Sequence, residues 1–237
     1  MTRVGLLVLA AATLLIGPAA GQEPTANYET RDLVGWSVRI HRAFPRDEPE
    51  LASRTLALLE DQLRAIERAV PAPAVAKLRT IPIWVERDEP HHPCMAYHPS
   101  ASWLVEHDMN PDKARCVEIA DARNFLDWCR DQPWMVLHEL AHGYHHQVVE
   151  GGFNNPEIAE AHRRAEASKS YDRVLHINGK ERRHYALTNP QEYFAEASEA
   201  LFGANDFYPF VRAELSKHDP EGHALIRRLW LLDPPTR

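Results

Sequence analysis

The chain is poor in cysteine and has no cluster of basic residues, and both absences narrow the range of functions. It has three cysteines, and none is spaced like a zinc-finger ligand or placed like a catalytic nucleophile. The formal net charge is −7, and no run of Lys or Arg suggests a nucleic-acid partner or an anionic membrane surface. Internal repeats and low-complexity segments are also absent. The 237 residues suffice for one well-buried globular domain.

An apolar run near the N terminus predicts export. Arg3 precedes an apolar stretch from Val4 to Ile16, and the small residues Ala19 and Gly21 follow it. This order is typical of a signal peptide, residues 1–21, that is cut after Gly21. The run is short for a membrane span of about 20 residues. We therefore expect a secreted or periplasmic protein with a single domain, residues 22–237, and no membrane association after cleavage.

Export makes disulfides possible, and the odd number of cysteines leaves one over. Cys129 falls in an apolar helical segment with Phe125 and Trp128, where a buried free thiol is the ordinary outcome. We therefore predict a disulfide between Cys94 and Cys116.

The most informative stretch of the sequence is His138-Glu139-Leu140-Ala141-His142, an HExxH pattern. On an α-helix, residues four apart lie one turn above each other, so His138 and His142 can direct two imidazoles at one Zn²⁺. Glu139 then lies beside the metal as a general base. Two histidines leave a tetrahedral zinc ion two ligands short. A third protein ligand must therefore come from elsewhere in the chain, and water must take the fourth place.

Spacing alone leaves the third ligand open. The HExxHxxGxxH pattern fails, because His145 and Val148 stand where it needs Gly and His. A glutamate on a later helix is the better alternative, and Glu192, Glu196 and Glu199 share one helical face. Asn189 and Glu192 also fit a capping box, in which Glu192 would bond only to backbone. An aspartate is less supported, since no Asp follows in a comparable helix.

The two motifs together resemble a known family. HELAH at residues 138–142, followed by the stretch from Tyr185 to Glu196, is similar to the catalytic domain of anthrax lethal factor and related secreted zinc peptidases. The chain also resembles a group of uncharacterised bacterial exported proteins with the same two motifs. In that family the later helix reads E-F-F-A-E, its first Glu binds zinc, and a Tyr seven residues earlier stabilises the transition state. The resemblance covers about residues 116–202 and implies that Glu192 is the third ligand and Tyr185 a catalytic residue. We assign Glu196 to holding a zinc-bound His by its other ring nitrogen.

The expected fold is α+β and predominantly helical, a zincin-like metallopeptidase fold in which a small twisted sheet packs on the HExxH helix. The apolar pattern predicts strands at 36–41, 80–86 and 116–120, a long helix at 49–70, and a hairpin with a type I′ turn at Asn178-Gly179. Residues 22–35 read as an irregular leader or an extended edge, and 88–98 as a solvated loop rich in His and Pro.

These features predict an exported zinc-dependent endopeptidase with one Zn²⁺ per chain. Zinc held by His138, His142 and Glu192 lowers the pKa of its bound water to about 7, and Glu139 takes the proton as that water attacks the scissile carbonyl. The hydroxyl of Tyr185 would assist zinc in stabilising the negative oxygen.

The expected partner is a peptide or protein substrate, and we expect a monomer. The strand residues Val117, Glu118 and Ile119 could form a sheet edge that pairs with an extended substrate. The alternative is a catalytically inactive exported module that binds a metal or a partner on the same fold, and a hydrolase of non-peptide bonds also remains open.

Overall fold

A mixed sheet of five strands organises the N-terminal half of the chain in the computed structural model, which describes residues 23–232. The predicted signal peptide lies outside the described residues. The spatial order is β1-β2-β3-β5-β4. The strands β1/β2 and β4/β5 pair antiparallel, whereas β2/β3 and β3/β5 pair parallel. The strands are β1 (Tyr28–Leu33), β2 (Trp36–His41), β3 (Ile83–Val85), β4 (Met95–Tyr97) and β5 (Val117–Ile119).

Helices make up most of the remaining structure, as the sequence predicts, and the protein is α+β and mainly helical. A second, two-stranded sheet consists of β6 (Val174–Leu175) and β7 (Glu181–Arg182). The α-helices are α1 (Ala43–Asp47), α2 (Pro49–Ala69), α3 (Ala72–Leu78), α4 (Ala101–Glu106), α5 (Ala122–Trp128), α6 (Met135–Gln147), α7 (Pro156–Ser168), α8 (Pro190–Phe202), α9 (Arg212–His218) and α10 (Pro220–Leu229).

The core lies between one face of the larger sheet and the helices α2 and α6. In β2 the side chains of Trp36, Val38 and Ile40 are fully buried, because alternate residues of a strand point to the same face. The helix α6 is buried nearly all round, and Gly143 lets it approach the sheet closely. A Cβ added there would come within 2.7 Å of Ile81 and 3.2 Å of Tyr97. The HExxH helix is thus held firmly by the core.

The opposite face of the sheet carries a buried network of charged groups. The carboxylate of Glu118 is fully buried and accepts hydrogen bonds from Lys113 and from His98, the latter at 2.6 Å. The ammonium of Lys113 also lies 2.8 Å from Glu86, whose carboxylate accepts a hydrogen bond from the Tyr28 hydroxyl. Each buried charge thus has a partner of opposite sign, which offsets its loss of hydration.

The prediction that Val117, Glu118 and Ile119 form a substrate-binding edge is wrong. These residues form β5, which pairs with β3 on one side and with β4 on the other, and all three are buried. The edge strand next to β5 is β4, in the segment 88–98 that the sequence predicts to be a loop. The other edge strand is β1, which lies in the segment 22–35, so the extended edge is the correct one of the two alternatives for that segment.

The predicted disulfide between Cys94 and Cys116 is also wrong, since all three cysteines are free and buried. Cys94 accepts a backbone hydrogen bond from Ala120, and His98 donates one to Cys116. The two cysteines therefore lie at opposite ends of the β4/β5 pair, four residues apart along the sheet. At about 3.4 Å per residue this is about 14 Å, whereas a disulfide requires Cα atoms within about 7 Å.

The predicted hairpin forms between β6 and β7, but its turn differs from the predicted type. A type I′ turn needs positive φ at both central residues. Gly179 has a φ of 80°, whereas Asn178 is not among the residues with positive φ. The backbone N–H of Gly179 bonds to the carbonyl of His176, so Gly179 closes the turn from its last position.

Candidate metal centre

The helix α6 brings two imidazoles together as its sequence spacing predicts. His138 and His142 are both buried, and their ring centroids lie 4.8 Å apart. Their Nε2 atoms point toward the first turn of α8, a helix packed against α6.

The helix α8 supplies the carboxylate that completes this group. This carboxylate belongs to Glu192. Its Oε2 atom lies 3.0 Å from Nε2 of His138 and 3.3 Å from Nε2 of His142. The side chain of Asn189 caps α8 by accepting a hydrogen bond from the backbone N–H of Glu192 at 2.8 Å. Half of the capping box is therefore present, while the Glu192 side chain points away from its own helix end and toward the histidines.

These three side chains fit a zinc ion. Their ligand atoms all lie within 4.8 Å of one another. Zinc binds imidazole nitrogen and carboxylate oxygen at about 2.0–2.2 Å, so adjacent corners of its tetrahedron are about 3.4 Å apart. The two separations from Glu192 are close to that length, and two nitrogens with one carboxylate oxygen are a typical donor set for catalytic zinc.

The other ring nitrogen of His138 is held by Glu199 and not by Glu196, which corrects our assignment. Nδ1 of His138 lies 2.6 Å from Oε1 of Glu199, a fully buried carboxylate that also accepts a hydrogen bond from Gln132. Glu196 is 3.7 Å from the same nitrogen and instead accepts a hydrogen bond from Asn205 at 3.0 Å. Glu199 thereby leaves Nε2 of His138 facing the centre.

The carboxylates around His138 also change its affinity for protons. Burial by itself lowers the pKa of His138, but the hydrogen bonds to Glu192 and Glu199 outweigh burial and raise that pKa well above its ordinary value. Burial likewise raises the pKa of Glu192, and the bonds from the two histidines reverse that shift and lower it. A metal ion must replace the shared protons, so metal binding at this centre is weakened by acid.

Glu139 is partly buried beside the two histidines and is anchored to the edge strand β4. Its Oε2 atom accepts a hydrogen bond from the backbone N–H of Tyr97 in β4 at 2.9 Å. Burial raises the pKa of Glu139, and the charges of His142 and His138 oppose that shift. The side chain of Tyr97 also contacts α6, because its hydroxyl lies 2.8 Å from Nδ1 of His146.

Tyr185 lies on the α8 side of the centre, in a single 3₁₀ turn that precedes α8. Its ring is 47% exposed, with its centroid 6.5 Å from that of His138. Burial raises the pKa of its hydroxyl, and the nearby Glu192 adds to the shift. The hydroxyl is therefore protonated at neutral pH and can donate a hydrogen bond.

A cavity of about 650 Å³ joins these groups. The edge strand β4 forms one wall, and the opposite wall comes from the β6–β7 hairpin, the Tyr185 turn and the start of α8. Trp128 and Met135 lie on the apolar part of its lining. His138, Glu139, His142, Tyr185 and Glu192, all predicted from the sequence, line this one cavity.

Comparisons with known proteins add no identification. No family model matches the chain, and the comparisons with curated proteins and with solved structures give no significant match. Within residues 23–232, no helix combines the length and the apolar character needed to cross a membrane. The geometry of the cavity is therefore the basis for proposing a function.

Two features of the site escaped the sequence interpretation. The first is the edge strand β4, whose three residues are too few to show an alternating pattern. The second is the role of Glu199, although a signal for it existed, since Glu199 shares the helical face of Glu192 and lies two turns further on. His91, His92 and His98, in the segment 88–98, belong to no group of potential metal ligands within residues 23–232. Both groups of three potential ligands within residues 23–232 contain His138, and His98 instead bonds to Glu118.

Proposed function

We propose that this protein is a zinc-dependent endopeptidase with a zincin-like fold, secreted or periplasmic, that holds one Zn²⁺ through His138, His142 and Glu192. The observation that carries the proposal is the convergence of the two Nε2 atoms and Oε2 at 3.0 and 3.3 Å. When bound, a zinc ion supplies Lewis acidity, which makes a water molecule nucleophilic near neutral pH.

Glu139 is suited to act as the general base. Its Oε2 atom is occupied by the Tyr97 N–H, so Oε1 is available to accept a proton from the attacking water. The same oxygen can then pass the proton to the leaving amine. The hydroxyl of Tyr185 can donate to the oxygen of the scissile carbonyl as negative charge develops there.

The edge strand β4 is suited to hold an extended peptide. Cys94 and His98 bond to the neighbouring segment of β5 through their backbone groups, so the backbone groups of Met95 and Tyr97 face the other way. The Tyr97 N–H is taken by Glu139, which leaves both carbonyls and the Met95 N–H for a substrate backbone. A backbone-binding edge beside the metal centre favours a peptide substrate over other hydrolysable molecules.

The test combines metal analysis with digestion of a proteome-derived peptide library. Wild-type protein should bind one zinc per chain and cleave peptides, and His142→Ala should lose both properties. Glu139→Gln should keep zinc and lose turnover, because this carboxylate moves a proton and binds no metal. The matched control Glu50→Gln changes an exposed glutamate of α2 and should retain both.

Each outcome decides between functions. Zinc bound by His142→Ala at the wild-type level would remove the proposed centre. Tight zinc binding without cleavage of any peptide, or equal turnover in Glu139→Gln, would overturn the peptidase mechanism. Tight zinc binding without cleavage would favour the alternative of a catalytically inactive module that binds a metal.

A further inference from the structure

The cavity contains one Lys or Arg side chain among its lining residues, that of Arg182 in β7. Arg182 is exposed, and within residues 23–232 its guanidinium has no hydrogen bond or ion pair. The two adjacent charged residues, in contrast, have partners. Glu181 pairs with Arg173, and Arg183 pairs with Glu166 and donates to the carbonyl of Leu187.

Strand geometry accounts for this difference. Successive side chains of a strand point to opposite sides, so Arg182 faces the cavity while Glu181 faces away from it. Arg182 is opposite Val174 across the hairpin, and Val174 offers it no charge. The hairpin therefore holds at the cavity a guanidinium whose donors have no partner within residues 23–232.

Each acidic residue that lines the cavity, in contrast to Arg182, already has a hydrogen-bond or charge partner. Glu139 accepts from the Tyr97 backbone, Glu192 faces the two histidines, and Glu196 accepts from Asn205. Asp206 lies 3.2 Å from Nε2 of His176, and its other oxygen is buried out of reach of a substrate. The guanidinium of Arg182 is thus the charged group of the cavity that is exposed to a substrate and has no partner within residues 23–232.

We propose that Arg182 binds a carboxylate of the peptide substrate, so that the enzyme favours peptides with an acidic group at one position near the cleaved bond. This inference rests on the proposed peptidase function. A guanidinium binds a carboxylate through two parallel hydrogen bonds, which fixes both position and orientation. The carboxylate can belong to an Asp or Glu side chain or to the C terminus of the substrate.

The experiment starts from one peptide that the wild-type enzyme cleaves. Gln and Glu are placed in turn at each position within four residues of the cleaved bond, and a further pair differs only in a C-terminal acid or amide. Kinetic constants are measured for wild type, Arg182→Gln, Arg182→Lys and Lys180→Gln. Lys180 is the matched control, because it is an exposed cation of the same hairpin that does not line the cavity.

At one position, wild type should show kcat/KM about tenfold higher for Glu than for Gln, the lower end for a hydrogen bond to a charged group. Arg182→Gln should abolish this ratio, Arg182→Lys should keep part of it, and Lys180→Gln should leave it unchanged. A preference seen only in the acid and amide pair would assign the carboxylate to the substrate C terminus. No preference at any position, or one that persists in Arg182→Gln, would overturn the inference while leaving the peptidase function intact.

A binding measurement separates this inference from the proposed function. Fluorescent peptides of one fixed sequence, with Gln or Glu at each position in turn and with a C-terminal acid or amide, are titrated into zinc-loaded Glu139→Gln protein, with and without Arg182→Gln. Tighter binding of the acidic peptides that depends on Arg182 would support the inference even if wild type cleaves nothing. If no peptide is cleaved and none binds, both proposals are wrong.

Discussion

His138 is the residue on which the site converges. Its Nε2 atom faces Glu192 and its Nδ1 atom is held by Glu199, so both ring nitrogens have fixed partners. Glu199 has no exposed surface, and its other oxygen is buried without a partner. A charge so placed would be costly without a specific partner, and His138 is that partner. Glu199 thus fixes the orientation of His138, a proposed metal ligand.

This arrangement predicts different effects for two neighbouring glutamates. Glu199→Gln should lower zinc affinity by about 10–100-fold, the usual penalty for losing a group that orients a metal ligand. Glu196→Gln should have a clearly smaller effect, because Glu196 lies 3.7 Å from Nδ1 of His138 and bonds to Asn205 instead. Zinc affinity is measured by competition with a chromogenic chelator.

Both substitutions are nearly isosteric, so a difference between them reflects charge and hydrogen bonding rather than packing. Glu50→Gln is the control for loss of a glutamate charge at a distant exposed site. A larger loss of affinity in Glu196→Gln than in Glu199→Gln would restore the assignment made from sequence.

Among the secondary-structure elements, α8 combines a helix cap and a proposed metal ligand within four residues. The cap comes from the Asn189 side chain, which accepts from the backbone of Glu192. The ligand is the side chain of Glu192, which contacts both histidines. The two functions use different atoms and can be separated by substitution.

We expect Asn189→Ala to lower the free energy of unfolding by about 1 kcal/mol, the usual cost of a lost cap, and to retain one zinc per chain. Glu192→Ala should lose zinc outright, because two histidines cannot hold a tetrahedral ion tightly. Stability is measured by urea unfolding in the presence of a chelator, and metal content by elemental analysis. Zinc retained in Glu192→Ala would mean that the third ligand lies elsewhere.

At the scale of the whole molecule, the chain has no covalent cross-link within residues 23–232, and noncovalent packing holds the larger sheet to its helices. Cys94 packs against Met135 in the main core, with its Sγ atom 3.5 Å from the methionine sulfur. Cys116 belongs to a separate cluster with Tyr28 and Trp84. Burial raises the pKa of Cys129 to about 12 and that of Cys116 above its usual value, so these thiols are protonated at neutral pH.

We therefore expect three thiols per chain to react with a maleimide after unfolding without reductant, and fewer in the folded protein. Adding a reductant should leave the midpoint of thermal unfolding unchanged. The readout is intact mass before and after labelling. A chain that gains only one label after unfolding would contain a disulfide and would contradict the arrangement of β4 and β5.

The features that the sequence determined are those that depend on local geometry. The spacing of His138 and His142 places both imidazoles on one turn whenever the segment is helical, and the helix follows from its own apolar pattern. Glu192 and the cap residue Asn189 are likewise neighbours within one helix start. The strand β2 and the long helix α2 were predictable for the same reason, since each shows its period over enough residues.

The tertiary structure alone decided which distant groups meet. The role of Glu199, the edge position of β4 and the separation of Cys94 from Cys116 each depend on pairings between segments far apart in the chain. A strand of three residues has no detectable period, and register between strands is set by packing of the whole sheet rather than by either strand. Arg182 shows the same limit, because only the tertiary structure brings its hairpin and the start of α8 to the wall of one cavity.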